Sequence, residues 1–215
     1  MKAYKFTKRR YYDRGSFRLG TLYDYRREEA YGSAIGDARE GTFDRQHSFD
    51  FKTSNALIKQ LTSAQEFGLM YAKGEKTGKF ERNRFVLNFT SVNLLVFSAA
   101  LISDHFLFGE FADTDCCIEI DDFEAFCGCL VGKISQPIAK AAIRECIYGD
   151  RVVVNDRNPM PPLPFLKDKR YEKQREIRLC VQLYADPTGP ITLSSLDALL
   201  HCRIVKSLSS RQTAR

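Results

Sequence analysis

Residues 175–184, REIRLCVQLY, carry the most regular strand pattern in the chain. Apolar residues occupy every second position, and mostly polar residues fill the positions between them. Successive side chains of a β-strand point to opposite faces, so this alternation predicts a strand with one face on a hydrophobic core. The predicted core face holds Ile177, Leu179, Val181 and Leu183, and the opposite face holds Glu176, Arg178, Cys180, Gln182 and Tyr184.

Shorter patterns of the same kind come earlier in the chain. The segment 93–98 is apolar on both faces, which predicts a central strand that is covered on both sides. Including that segment, strands are predicted at residues 3–7, 16–20, 84–89, 93–98 and 116–120.

Helices and loops are predicted between the strands. Thr21 has the position of an N-cap for a helix to about Ala30, and Ser135 that of a cap for a helix over 136–148. A third helix is predicted over 55–67. Loops, turns or extended linkers are predicted at 31–54, 73–79 and 158–164.

The order of these elements predicts a single α+β domain with mixed, mainly antiparallel sheets and flanking helices. We expect the domain to span residues 1–207 and a disordered tail to cover 208–215. The chain has no GxGxxG, GxxxxGK[ST] or GxSxG motif, which argues against Rossmann, P-loop and hydrolase chemistry.

The composition is ordinary for a globular protein, with 44% hydrophobic and 28% charged residues. No apolar stretch approaches the roughly 18 residues that span a bilayer, and the N-terminus MKAYKFTKRR lacks the apolar part of a signal peptide. We therefore expect a cytoplasmic protein with no membrane contact. The seven cysteines lack the spacing of a zinc site, so we interpret them as small buried hydrophobic residues and expect no metal.

Charge is unevenly distributed along the chain. Residues 1–27 contain nine Lys or Arg and two acids, whereas residues 104–126 contain eight acids and no Lys or Arg. A basic region indicates a phosphate-bearing partner such as a nucleotide or nucleic acid. The alternative is that the two regions pack together and neutralise one another, and the sequence leaves both interpretations open.

Gln174 and Glu176 are the candidate catalytic residues. They lie two positions apart at the start of the last predicted strand, so their side chains are expected side by side. A carboxylate there can accept a hydrogen bond from a ribose hydroxyl and stabilise an oxocarbenium-like transition state, while the amide orients an acceptor. The alternative is a solvent-facing polar row in which Glu176 pairs with Arg178 or Lys173.

Three short motifs, in order, resemble those of the ADP-ribosyltransferase superfamily. They are Tyr4-Lys5-Phe6-Thr7 on the first strand, Val96-Phe97-Ser98 on a middle strand and Gln174-Arg175-Glu176 on a late strand. The chain also resembles an uncharacterised bacterial family with a "Y-E-x-E-x-R" strand, present here as residues 171–178, and transferase toxins of anti-phage toxin–antitoxin systems.

This resemblance implies an NAD-dependent ADP-ribosyltransferase, and it assigns roles near the ribose. Glu176 would bind the nicotinamide ribose and stabilise the cation as nicotinamide leaves. Gln174 would position the acceptor. Ser98 would hold Glu176 by a hydrogen bond.

The resemblance also implies an NAD-binding set. Arg18 and Thr21 would contact the phosphates near a helix N-terminus, where anions are favoured. Tyr4 or Tyr25 would stack on nicotinamide. The family places His or Arg on the first strand where this chain has Tyr4 and Lys5, and Arg18 is the candidate for that role. Further substrate contacts are expected from the predicted loop, at Asp37, Arg39 and Glu40.

The basic N-terminus provides the candidate nucleic-acid contacts. Tyrosines alternate there with the cations Lys8, Arg9, Arg10 and Arg14, a combination that suits stacked bases and phosphates. We expect RNA or single-stranded DNA as the acceptor, with RNA favoured. A toxin of this kind also implies an antitoxin or chaperone partner.

Two other function classes remain open. The first is a non-catalytic nucleic-acid-binding module that uses the same basic N-terminus and does not need Glu176. The second is a metal-dependent nuclease, in which Asp113, Asp115, Glu119 and Asp121 would hold Mg²⁺.

Overall fold

A computed structural model describes residues 1–27, 36–48, 76–81, 84–103, 114–154 and 160–207. Within these ranges the protein is a mixed α+β structure with mostly antiparallel sheets and few helices. The strands are β1 (Ala3–Thr7), β2 (Ser16–Thr21), β3 (Thr42–Ser48), β4 (Lys76–Glu81), β5 (Arg84–Thr90), β6 (Leu95–Ala100), β7 (Cys116–Ile120), β8 (Ile138–Glu145), β9 (Ile147–Gly149), β10 (Val152–Val154), β11 (Leu166–Asp168), β12 (Glu176–Leu183), β13 (Ile191–Ser194) and β14 (Cys202–Ser207).

Short helical elements connect these strands. The longest one described is α2, which packs on the main sheet. The helices are α1 (Arg9–Tyr12), α2 (Phe123–Val131) and α3 (Leu196–Leu199), and 3₁₀ turns lie at Asp24–Arg26, Leu163–Phe165 and Lys169–Gln174.

The largest sheet has eight strands, and its strand pairs are antiparallel. Strand β6 is central: one edge pairs with β12, which pairs in turn with β8. Its other edge meets β2, which continues to β13, and β1, which continues to β7 and β14. Leu95, Val96 and Phe97 are at most 1% exposed, which confirms the predicted central position.

The second edge of β6 is divided between two strands. β2 pairs with it at Leu95 and Val96, and β1 pairs with it at Ala100. Between these points, residues 97–99 face no strand on this edge in the part of the chain that the structure describes. The main sheet therefore has a cleft between β1 and β2, and β6 forms its floor.

Two smaller sheets lie beside the main one. The first has the order β10-β3-β5-β4 and is antiparallel except for the parallel β10–β3 pair. The second is the parallel pair β11–β9. Phe165 packs against the main sheet, while its neighbours Leu163 and Leu166 pack against Phe43 and Phe89 of the first small sheet.

The main core lies between the large sheet and α2. Phe123, Phe126, Cys127 and Leu130 project from one face of this helix and are at most 1% exposed. Asp122 caps the helix by accepting hydrogen bonds from the backbone N–H groups of residues 124 and 125. The sequence prediction missed this helix.

The helix predicted over 136–148 is wrong, because these residues form β8 and β9 instead. Alanine favours helix in isolation, but β8 pairs with β12 along almost its whole length. Burial of the long central strand requires this partner, so tertiary pairing overrides local propensity.

The helix predicted from Thr21 to Ala30 is also wrong over the residues described. The chain instead continues the strand pairing, because Leu22 N donates to Leu94 O at 2.8 Å, and only the 3₁₀ turn Asp24–Arg26 follows. Thr21 Oγ1 accepts a hydrogen bond from Asp24 N at 3.0 Å, but the N-cap of this 3₁₀ turn is Tyr23, so the predicted N-cap at Thr21 is wrong too.

Three predicted loops contain regular structure. Strand β3 lies inside the predicted loop 31–54, β4 overlaps the predicted turn 73–79, and a 3₁₀ turn ends the proline-rich segment 158–164. The predicted helix 55–67 and the predicted tail 208–215 lie outside the described residues.

Candidate active site

Gln174 and Glu176 flank a sharp bend at the start of β12. Gln174 ends the 3₁₀ turn, and Arg175 between them has the left-handed conformation, with φ 40° and ψ 59°. Such a conformation costs a residue with a Cβ about 1–2 kcal/mol. The two side chains do lie close together. They are brought together by this bend and by hydrogen bonds to the same lysine, not by two positions on the same face of one strand.

The two Glu176 carboxylate oxygens accept hydrogen bonds from different cations. Arg178 Nε donates to Oε1 at 2.5 Å, and Lys167 Nζ donates to Oε2. Lys167 Nζ also donates to Gln174 Oε1 at 2.6 Å. Glu176 does pair with Arg178, but the predicted solvent-facing row is wrong, because these two residues are only 7% and 2% exposed.

The pair extends into a buried charge cluster, whose formal charges cancel. Arg178 Nη1 donates to Glu40 Oε1 at 2.7 Å, and Arg151 Nη2 donates to Asp37 Oδ2 at 2.5 Å. The cluster consists of the cations Lys167, Arg178 and Arg151 and the anions Glu176, Glu40 and Asp37.

The cluster corrects the expectation for the loop residues. Asp37 and Glu40 are 3% and 1% exposed and hold the buried arginines, so they do not reach a substrate. Arg39 pairs with Asp44, at 2.6 Å from Nη2 to Oδ2. These three residues fix the loop onto the strands behind the site.

Glu176 remains an anion in this setting. Burial opposes its charge, but Arg178 and Lys167 outweigh burial, so the pKa of Glu176 lies well below its ordinary value. A carboxylate with such a low pKa is a fixed negative charge at neutral pH and is a poor proton acceptor.

An inner cavity of about 140 Å³ opens in front of this carboxylate. It lies over the main sheet, where residues of β1, β6 and the start of β12 line it. Its walls bring together both candidate catalytic residues with the two tyrosines and the serine expected near nicotinamide. They include Tyr4, Phe6, Tyr25, Ser98, Gln174 and Glu176.

Ser98 reaches this cavity from the floor of the cleft. The predicted hydrogen bond from Ser98 to Glu176 is replaced by the bonds from Lys167 and Arg178. Ser98 contributes its backbone oxygen instead, which accepts from Lys5 Nζ at 2.7 Å.

Tyr25 approaches the cleft closely because residue 20 is glycine. A Cβ at Gly20 would lie 2.8 Å from the Tyr25 ring, which is closer than real contacts allow. Burial raises the pKa of Tyr25 to about 12, so its phenol stays protonated. The ring is thus a neutral aromatic wall.

An outer cavity of about 440 Å³ adjoins the inner one. Lys5, Tyr25 and Thr114 line both cavities, which makes them two parts of one cleft. The outer part has a cationic and aromatic lining, which includes Lys8, Tyr11, Tyr12, Ser16, Arg18 and Thr192.

The structure separates the two residues predicted to bind phosphate. Arg18 lines the outer cavity, and its Nη2 pairs with Asp24 Oδ2 at 2.8 Å while 43% of its side chain is exposed. Thr21 is 3% exposed, and its hydroxyl oxygen accepts a hydrogen bond from the backbone N–H of Asp24 at the start of the 3₁₀ turn. Thr21 therefore shapes the turn, and no helix N-terminus forms there.

The four cations proposed for nucleic acid lie on or beside α1. Lys8 lines the outer cavity. Arg9, Arg10 and Arg14 are exposed, and Arg9 pairs with Asp13 at 2.8 Å from Nε to Oδ1. Of these four cations only Lys8 is part of the outer cavity lining, and Arg9 is neutralised locally by Asp13.

Part of the acidic segment 104–126 packs against the basic segment 1–27. This packing agrees with the alternative in which the two segments neutralise one another. β7 pairs with β1, and Lys2 Nζ lies 3.0 Å from Glu119 Oε1 and 3.8 Å from Asp121 Oδ1. Asp115 Oδ1 accepts from Arg9 N at 2.6 Å. Asp113 lies outside the described residues.

Three of the four acids of the nuclease alternative make these contacts, namely Asp115, Glu119 and Asp121. Within the described ranges, no group of three or more His, Cys, Asp or Glu has the arrangement of a metal site. The seven cysteines are unpaired thiols, and five of them are buried, in line with the predicted small hydrophobic residues. None of the described helices has the length and apolar content that a bilayer crossing requires.

The sequence did not indicate Lys167 as a site residue, and it indicated Lys5 only as part of the first-strand motif. Lys167 stands seven residues before Gln174, in a segment where nothing periodic marks it. Lys5 could have been selected, because a lysine on a strand at a predicted ligand site is a candidate for an altered pKa. No family model, curated protein or solved structure matches this chain.

Proposed function

We propose that the protein is an NAD-dependent ADP-ribosyltransferase with a fold of that superfamily. One observation carries the proposal: Glu176 and Gln174 line a cavity between Tyr4 and Tyr25 that continues into a larger basic cavity. A dinucleotide needs this combination of an aromatic compartment, an anionic centre and a cationic compartment.

The chemistry follows from the fixed charge of Glu176. As the bond between nicotinamide and ribose breaks, positive charge develops at the anomeric carbon, and a nearby anion stabilises it. A carboxylate offers about four acceptor sites, so its bonds to Lys167 and Arg178 leave capacity for a ribose hydroxyl. Gln174 lines the same cavity and is positioned to orient the attacking group.

The two cavities divide NAD between them. Nicotinamide occupies the inner part, where the Tyr4 and Tyr25 rings provide stacking surfaces. The diphosphate lies toward the outer part, where Arg18 and Lys8 supply positive charge.

The acceptor in this proposal is a nucleic acid, with RNA favoured over single-stranded DNA. Tyr11 and Tyr12 line the outer cavity beside Lys8, a setting in which an unpaired base can stack while its phosphate is neutralised. Modification of cellular RNA accords with the role of a toxin held in check by an antitoxin.

The decisive test measures nicotinamide released from NAD by the purified protein. Glu176→Gln should reduce release by at least about 100-fold, the scale expected when one electrostatic stabiliser is removed. Glu119→Gln is the matched control, because Glu119 is buried to a similar extent (6% exposed against 7% for Glu176) and is ion-paired with Lys2 and Arg203, but lies outside both cavities. Equal release by wild type and Glu176→Gln would refute the proposal.

The binding-only alternative has one observation in its favour. Lys8, Tyr11, Tyr12 and Arg18 together line the outer cavity, which suffices for a base and its phosphate without any catalysis. Tight RNA binding by wild type and Glu176→Gln, with no nicotinamide release from either, would support this function instead.

A further inference from the structure

Lys5 occupies the junction of the two cavities. Its Nζ donates to the backbone oxygen of Ser98 at 2.7 Å and lies 5.0 Å from the centre of the Phe97 ring. The carbonyl is available because residues 97–99 face no strand on this edge of β6 within the described residues. The amine is thus fixed at the mouth of the inner cavity, while Glu176 lies in its wall.

The surroundings of Lys5 lower its pKa and so raise the neutral fraction of its amine. Burial lowers the pKa of Lys5 to about 8; the Glu176 charge opposes this change, and the Arg18 and Lys167 charges reinforce it. On β6 and β7 its nearest partners, Ser98 and Ile118, are uncharged.

Other groups that face the cleft complete this environment. Lys8 of α1 adds positive charge at the outer cavity, and the Tyr25 phenol is neutral. Like charges near an amine favour its neutral form, so the cations act in the same direction as burial.

We propose that Lys5 is the general base of the transfer, accepting a proton from the oxygen that attacks the ribose. This inference rests on the proposed function. The oxygen of water or of an RNA hydroxyl forms a bond to the anomeric carbon as the carbon–nitrogen bond breaks. The electron pair of that bond passes to the nicotinamide ring nitrogen, and the proton passes to Lys5 Nζ.

The other polar groups of the inner cavity fit this role less well. Both Glu176 oxygens are bonded to cations, and its low pKa makes it a weak base. Gln174 has no basic atom, and Lys167 is 4% exposed and committed to Glu176 and Gln174. A neutral Lys5 keeps one N–H on Ser98 and presents its lone pair to the cleft.

The role of Lys5 as a base determines how turnover depends on pH. A base must be neutral to accept a proton, and with a pKa of about 8 roughly a tenth of Lys5 is neutral at pH 7. Turnover should therefore rise with pH until about pH 8 and then level off. An ordinary exposed lysine would place that rise more than two pH units higher.

The test compares Lys5→Arg and Lys5→Met with wild type between pH 6 and pH 10. Nicotinamide release from NAD is measured with and without a mixed-sequence single-stranded RNA as the acceptor probe. General base catalysis contributes about 100-fold or more, so both variants should lose that factor and the rise near pH 8. Lys2→Arg is the control, since Lys2 is on the same segment but exposed and paired with Glu119.

Lys5→Arg distinguishes two roles of Lys5, that of a general base and that of a cation that binds the substrate. Arginine keeps the positive charge but does not release its proton in this range, so it rescues binding and not base catalysis. A rate and pH profile near wild type in Lys5→Arg would overturn the inference and leave the transferase proposal standing. Absence of nicotinamide release from wild type would refute the transferase proposal, and the inference with it.

A second measurement does not depend on turnover. The labelling of each lysine by acetic anhydride is followed by peptide mass spectrometry from about pH 6 to about pH 12, so that an ordinary lysine midpoint also falls within the range. We expect the Lys5 midpoint near pH 8 and the Lys2 midpoint above its ordinary value, because Glu119 raises the pKa of Lys2. A Lys5 midpoint equal to that of Lys2 would contradict a neutral amine in the cleft.

Discussion

Lys167 Nζ forms a buried ion pair with the Glu176 carboxylate, and the two side chains are 4% and 9% exposed. The pair belongs to a cluster whose three cations and three anions cancel. Loss of one partner from a buried pair costs about 3–5 kcal/mol, because the other charge remains without compensation. A substitution at Glu176 therefore changes stability as well as chemistry.

We predict that Glu176→Gln lowers the free energy of unfolding by about 3 kcal/mol. Adding Lys167→Met in the same chain restores the charge balance and should recover most of this loss. The double variant should still release no nicotinamide, since the carboxylate is absent. Urea unfolding and nicotinamide release test both parts, and turnover by a stably folded double variant would contradict the role of Glu176.

Arg18→Ala should raise the KM for NAD about tenfold or more, the scale of a lost hydrogen bond to a charged group. The Arg18 side chain is 43% exposed and pairs with Asp24, so unfolding should change by less than about 1 kcal/mol. Arg18→Lys should restore part of the affinity. Steady-state kinetics and thermal unfolding separate the effects, and a large loss of stability with unchanged KM would indicate a structural role.

Arg175→Gly and Arg175→Val should have opposite consequences. Glycine adopts the left-handed conformation without strain, so unfolding should change by less than about 1 kcal/mol and turnover should persist. Valine is strongly disfavoured at positive φ and should lower both stability and turnover by displacing the bend. Equal behaviour of the two variants would show that this backbone conformation does not support the site.

Expression of the wild-type protein in bacteria should slow growth, because consumption of NAD or modification of essential RNA harms the host. Glu176→Gln should relieve this effect at equal protein levels. Growth curves with quantified expression provide the measurement. Harmless accumulation of wild-type protein that releases nicotinamide after purification would contradict a toxin.

Label transferred from NAD should appear on RNA in preference to protein or duplex DNA. Arg10→Ala combined with Arg14→Ala should weaken RNA binding, because fewer counterions are released. Raised salt should also weaken it, because the release of counterions into a more concentrated solution is less favourable. The two arginines are exposed, so the fold should not change. Label found only on protein would exclude RNA as the acceptor without affecting the transferase proposal.

The sequence predicted five of the eight strands of the main sheet, namely β1, β2, β6, β7 and β12, because their patterns are locally decided, and it missed β13 and β14. The alternating pattern of β12 and the apolar run of β6 are both typical of strands in a buried sheet, and both strands are almost wholly buried. It failed at residues 136–148, where Ala-rich sequence favours helix and only the distant β12 makes it a strand. It also failed at α2, although Asp122 and the spacing of its phenylalanines marked a helix.

The candidate residues could be named from the sequence, but the electrostatics around them could not. Tyr4, Tyr25, Ser98, Gln174 and Glu176 line one cavity, and their proposed roles stay predictions. The ion pairs around Glu176 come from strands and loops far apart in the chain, such as Glu40, which lies 138 positions from Arg178. No local pattern encodes such pairings.

The divided edge of β6 has one more consequence. The group that holds the Lys5 amine is a main-chain carbonyl, so it exists whatever side chain occupies position 98. Ser98→Ala should consequently leave the labelling midpoint of Lys5 unchanged. The hydrogen-bond acceptor of the Lys5 amine is part of the polypeptide backbone. A substitution at position 98 therefore changes the shape of the cleft but keeps the hydrogen bond that positions the amine.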